Sequence, residues 1–78
     1  MQTNNQGLSY WHDGRYDLAE ETLQHGLKQA QNDLGPTHSS VGVILSNLGL
    51  VYTDQGRYAE AIDVFKQADP ILMRKYGN

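Results

Sequence analysis

Gly-Arg-Tyr occurs twice in this chain, at residues 14–16 and again at 56–58, and the residues around it echo each other too. Shifting the sequence on itself by 42 positions superposes Asn5 on Asn47, Gly7 on Gly49, Leu8 on Leu50 and Tyr10 on Tyr52. It also superposes Gly14-Arg15-Tyr16 on Gly56-Arg57-Tyr58, Ala19 on Ala61, and Gly35 on Gly77. These nine identities in 36 overlapping positions fall on glycines, tyrosines and small residues rather than on common surface types. A period of this length marks a repeat architecture, in which one supersecondary unit is written twice and the copies stack.

The spacing of apolar residues says what each unit is made of. Val41, Ile44, Leu45, Leu48 and Tyr52 recur at three- and four-residue steps, which is one stripe on a helix. Tyr58, Ala61, Ile62, Phe65, Ala68 and Leu72 repeat that rhythm after Gly56, and Tyr16, Ala19, Leu23, Leu27, Ala30 and Leu34 do so after Gly14. No stretch alternates with the period of a strand. Glycine punctuates the helices: Gly14 and Gly56 close the first helix of each unit, and Gly35 and Gly77 the second, each offering a left-handed residue at little steric cost. Thr37 is the expected N-cap for a helix starting near His38. Each unit is therefore a helix, a tight turn and a longer helix, with Gly7, Gly49, Ala19 and Ala61 allowing close backbone approach. The expected fold is all-α: an α-solenoid of two stacked antiparallel helix-turn-helix repeats in a single domain over 1–78, the first repeat about 1–36 and the second about 37–78. Pro70 falls inside the last helix, where it removes one backbone bond and is expected to kink or interrupt it, at a cost of about 3 kcal/mol.

At 78 residues the chain buries only about 60% of the surface it exposes when unfolded. Without cysteine it has no disulfide or thiolate metal site to reinforce a small core. A formal charge of −3 and a pI near 5.4 argue against nucleic acid or an anionic membrane as partner. No apolar run approaches a membrane span, and the polar start Met1–Gly7 does not read as a signal peptide, so a cytoplasmic location is expected.

The run Asn47–Ala68, with Leu48-Gly49, Tyr52, Gly56, Tyr58, Ala61, Phe65 and Ala68, resembles the tetratricopeptide repeat. The first unit keeps Gly7, Tyr10, Gly14, Tyr16 and Ala19, with Leu23 in the aromatic place and Gly26 in the alanine place. The 42-residue period and the connection Leu34-Gly35-Pro36-Thr37-His38 are similar to the kinesin light chain variety, although Ser39 stands where that variety usually has proline. The resemblance covers nearly the whole chain. It implies a right-handed solenoid whose first helices line a concave groove for peptides or partner proteins, without catalysis. The first helix departs from the pattern in being short and polar, with Gln2, Thr3 and Gln6 where the second unit has Ile44, Leu45 and Leu48.

On that resemblance the groove falls on Met1, Asn4, Asn5, Leu8, Trp11 and His12 in the first unit, and on Val43, Ser46, Asn47, Leu50, Thr53 and Asp54 in the second. Asn5 and Asn47 recur at the repeat distance, and an amide both donates and accepts, so the pair can grip the backbone of an extended peptide. The competing account is that each bonds its own helix or loop. Trp11 is either an aromatic anchor or a lid over the first unit's open side, and Leu8 and Leu50 are either groove floor or packing between repeats. The mixed polar lining, without a lysine cluster, disfavours a strongly acidic peptide.

No catalytic, cofactor or metal residues are assigned. His12, His25 and His38 are spaced thirteen apart, which rotates a helix by about 220° beyond whole turns, and no metal-ligand spacing is present. His38 reads as a residue that orders the loop. Glu20 and Glu21 point about 100° apart and read as solvated charge near a helix start, while Arg15 and Arg57 read as structural parts of the turn. The expected function is a non-catalytic protein–protein interaction module. The alternative is a self-assembly unit that forms homo-oligomers or exchanges helices through open repeat ends, with Ile71, Leu72, Met73 and Tyr76 on the uncovered face.

Overall fold

A computed structural model of the chain describes residues 14–76, with side chains through Arg74. Three helices follow one another: α1 (Tyr16–Leu34), α2 (Ser39–Asp54) and α3 (Tyr58–Tyr76), with no strand among the described residues. The proposed first helix lies before them, outside the described residues.

The turn between α2 and α3 explains why Gly-Arg-Tyr is written as it is. Gly56 adopts φ +76°, and its N–H donates to the Thr53 carbonyl at 3.0 Å. The Arg57 N–H reaches back to the Tyr52 carbonyl at 2.8 Å. These two bonds make the Schellman arrangement, which satisfies carbonyls left over at the end of α2 and which a β-carbon at Gly56 would strain. The motif brings its residue after the glycine over the last helical turn, and here the Arg57 guanidinium sits 4.6 Å from the centre of the Tyr52 ring. Gly14 repeats the left-handed backbone at φ +78°, and Ala19 donates to the Arg15 carbonyl as Ala61 does to that of Arg57, both at 3.0 Å. The turn at 55–58 thus has its counterpart at 14–16.

The connection between α1 and α2 differs in one respect from expectation. Gly35 closes α1 with φ +98°, donating to the Gln31 carbonyl at 3.1 Å. The N-cap of α2 is His38, not Thr37: its extended backbone is followed by helix, and its Nδ1 accepts from the Ser40 N–H at 3.1 Å. An imidazole nitrogen does what a Thr37 hydroxyl one residue earlier is placed too far along the chain to do.

Helix α2 lies between the other two and packs antiparallel to both. Towards α3, Gly42 lies against Ile71 and Leu72, and Gly49 against Phe65; a β-carbon on Gly49 would come within 2.5 Å of that ring. Towards α1, Tyr52 lies beside Gln24. Val41, Ile44, Leu45, Leu48, Val51 and Tyr52 are all buried, joined by Ala19, Leu23 and Ala30 of α1 and by Ala61, Val64, Ala68 and Ile71 of α3. A helix covered on two sides needs apolar residues beyond a single stripe, which is why Val51 joins the core. The anticipated stripes of α1 and α3 need correction at their margins. Leu34, Tyr58 and Ile62 are exposed, while Val64 and Ile71 take core places, so Ile71 does not belong to an uncovered face. Pro70 does not interrupt α3, which continues past it to Tyr76.

Candidate functional site

Wrapped between its neighbours, α2 turns one strip away from its buried face. Val43, Asn47, Leu50 and Asp54 stand at steps of four, three and four, within roughly 60° of one another at 100° per residue, opposite Val41, Leu45, Leu48 and Tyr52. Val43, Ser46 and Asn47 are half-buried, and Leu50, Thr53 and Asp54 are exposed, Leu50 retaining 40% of its surface. Along the strip the chemistry alternates: apolar, amide, apolar, carboxylate. Beside it, the Thr53 hydroxyl turns back to donate to the Gly49 carbonyl at 2.8 Å, so its hydrogen is spent within its own helix. Asn47 and Asp54 are each engaged as well. Met1, Asn4, Asn5, Leu8, Trp11 and His12 lie outside the described residues, so the first-unit half of the groove is not placed.

A second constellation pins the helices behind the strip. Arg57 grips Glu20 of α1 through Nη1–Oε1 at 2.6 Å and Nη2–Oε2 at 3.3 Å. The same guanidinium donates from Nη2 and Nε to the two Glu60 carboxylate oxygens at 2.6 and 2.8 Å, and from Nη1 to Gln55 Oε1 at 3.1 Å. Gln24 Nε2 bridges Glu20 Oε2 and the Tyr52 hydroxyl at 3.2 and 3.1 Å. The hydrogen bonds from Arg57 hold the Glu60 carboxyl below the usual glutamate range. Those to Glu60 and Glu20 strengthen the proton's hold on the guanidinium, which is charged at any working pH. Burial pushes the Tyr52 phenol up.

Glu20 is therefore not solvated charge, as its place near a helix start suggested; it is the acid of a clasp between α1 and the α2–α3 turn. Arg57 has the structural role expected of the turn motif. The repeat could not expose the clasp, because the residue 42 positions after Glu20 is Ile62.

His25 is exposed on α1, and His38 caps α2. Among the described residues no three acidic, histidine or cysteine side chains gather where they could hold a metal. A cavity of about 420 Å³ opens on the other side of α2 from the strip, over Val41 and Leu45 and between Gln31 of α1 and Gln67, Pro70, Ile71 and Arg74 of α3. No described helix is long and apolar enough to cross a membrane.

A family model for the tetratricopeptide repeat matches residues 1–72. The chain belongs to the tetratricopeptide repeat family. The match spans both copies of Gly-Arg-Tyr and all of the described fold up to Leu72, so the α2–α3 pair of the structure is the family's repeating unit. No curated protein matches the chain. Tetratricopeptide repeats generally mediate protein–protein interaction and are typically non-catalytic modules.

Proposed function

We propose that this tetratricopeptide chain is a peptide-receiving module whose binding surface is the α2 strip of Val43, Asn47, Leu50 and Asp54, flanked by Ser46 and Thr53 and continued in the first unit by Asn4, Asn5, Leu8, Trp11 and His12. The observation that carries this reading is the exposure of Leu50, an apolar residue left in solvent on a helix whose opposite face is buried. Such a residue, ringed by polar groups, suits the apolar anchor of a binding surface. The amides of Asn5 and Asn47 would hold the ligand's backbone, and Asp54 would favour a basic residue at that end. The module is non-catalytic, and the connection Leu34–His38 supports placing it near the kinesin light chain variety.

The test is a peptide array probed with the native chain, with Asn5→Ala/Asn47→Ala, and with Leu50→Glu. Peptides retained by the native chain should be lost by Leu50→Glu and weakened by the double alanine variant, with unchanged helical circular dichroism. Equal retention by all three would remove the strip as the binding surface.

A further inference from the structure

The outward side of α3 carries charges and apolar groups that nothing in the described chain uses. Its counterpart on α1 is mostly covered: Tyr16, Glu20, Leu27 and Gln31 are half-buried, Glu20 is clasped by Arg57, and Gln24, though exposed, reaches Tyr52. Moving each of these five positions forward by 42 gives Tyr58, Ile62, Lys66, Asp69 and Met73. All five are exposed, Tyr58 at 64%, Ile62 at 55% and Met73 at 63%. Ile62, Lys66, Asp69 and Met73 are spaced four, three and four apart, the seam of a helix that meets another helix. Neither Lys66 nor Asp69 is paired with an opposite charge among the described residues.

Read along α3, the seam runs apolar, cation, anion, apolar. Read backwards it runs apolar, anion, cation, apolar, which is its own complement. We propose that α3 pairs antiparallel with α3 of a second copy of this chain, about a two-fold axis passing between Gln67 and Ala68. Ile62 then faces the partner subunit's Met73, and Lys66 faces the partner subunit's Asp69; the axis makes each contact twice. Tyr58 extends the apolar margin at both ends.

The same residues disfavour head-to-tail stacking of copies. A second chain seated on α3 as the second unit sits on α1 would bring its Arg15 to Ile62, where the contact inside the chain supplies Glu20. The clasp would be lost and a cation laid on an aliphatic side chain. The two-fold arrangement instead satisfies both unpaired charges, and charge matching of this kind selects partner and register. This inference is independent of the binding strip on α2.

Charge reversal tests it, read as mass against concentration by sedimentation equilibrium. The native chain should associate to a dimer. Lys66→Asp makes the seam all acidic and Asp69→Lys makes it all basic; each should weaken self-association by roughly tenfold or more. The double variant Lys66→Asp/Asp69→Lys should recover native association, and the two single variants mixed together should form a heterodimer that neither forms alone. Circular dichroism confirms that each variant keeps its helices. A native chain that stays monomeric overturns the proposal. Dimerisation untouched by the single reversals, or not recovered in the double variant and the mixture, overturns it as well.

Discussion

Arg57 shows how much one side chain can do once a turn has aimed it. The glycine before it sets the reversal, and the backbone then carries the guanidinium over Tyr52 and between two carboxylates from different helices. Solvent still reaches the group, with about a third of the Arg57 side chain exposed, so the ion pairs contribute less than their short distances suggest. Arg57→Ala should lower stability only slightly, and Arg57→Lys should restore little, because an ammonium cannot serve two carboxylates with a planar fork. The pH dependence has a definite sign. Glu60 has a lowered folded-state pKa, so its contribution is present above the ordinary glutamate range and is lost as pH falls through the folded value. Urea unfolding at neutral and acid pH should show that loss in the native chain and a flatter response in Arg57→Ala. A native profile as flat as the variant's would mean that the Arg57–Glu60 pair contributes nothing to stability. The turn itself was legible because its glycine and tyrosine spacing recurs, Tyr10 to Gly14 as Tyr52 to Gly56. The clasp was not, because its acid lies 37 residues from Arg57 and has no repeat of itself.

At the scale of the helix, period alone gave the type of every described element and most of the core, and it failed where coverage depends on neighbours. Ile62 and Leu23 both fit an apolar stripe, yet Leu23 has lost all its surface and Ile62 keeps more than half. A helix pattern says which residues share a side, and only packing says which side is covered. Val64 and Ile71 entered the core for the complementary reason: α3 turns them towards α2, as the contact of Ile71 with Gly42 shows. The α2 half of the candidate strip was placed by the family resemblance, and the engagement of Thr53 with its own helix was not legible in the sequence. Pro70 belongs at this scale as well. It leaves the Lys66 carbonyl without its intrahelical donor, yet α3 continues through it, exposed on the outside of the helix where water can take the donor's place. Pro70→Ala should therefore raise stability by roughly 1–2 kcal/mol, less than the full cost of a buried proline because the unfolded chain also gains freedom. A thermal melt followed by circular dichroism reads the shift, and an unchanged or lowered midpoint would show that α3 is built around the proline.

For the molecule as a whole, α2 is the member that cannot be lost. It touches both neighbours, whereas α1 and α3 meet chiefly across it, so its inward face ties two interfaces into one cooperative unit. A chain of this size is expected to have a total stability of only about 4–12 kcal/mol. Leu48, with 1% of its surface exposed, should cost about 2–5 kcal/mol when cut to alanine, enough to remove a large part of that total. Because the loss falls on the shared helix, the variant should melt at lower temperature still in a single transition, with α1 and α3 unfolding together. Leu50 lies two residues on and on the opposite side of the same helix, so Leu50→Ala should shift stability by no more than about 0.5 kcal/mol. The pair thus separates the face of α2 that builds the fold from the face proposed to receive a ligand. If Leu50→Ala proved as damaging as Leu48→Ala in thermal and urea unfolding, the strip would be part of the core, and its exposure would have no binding role to explain.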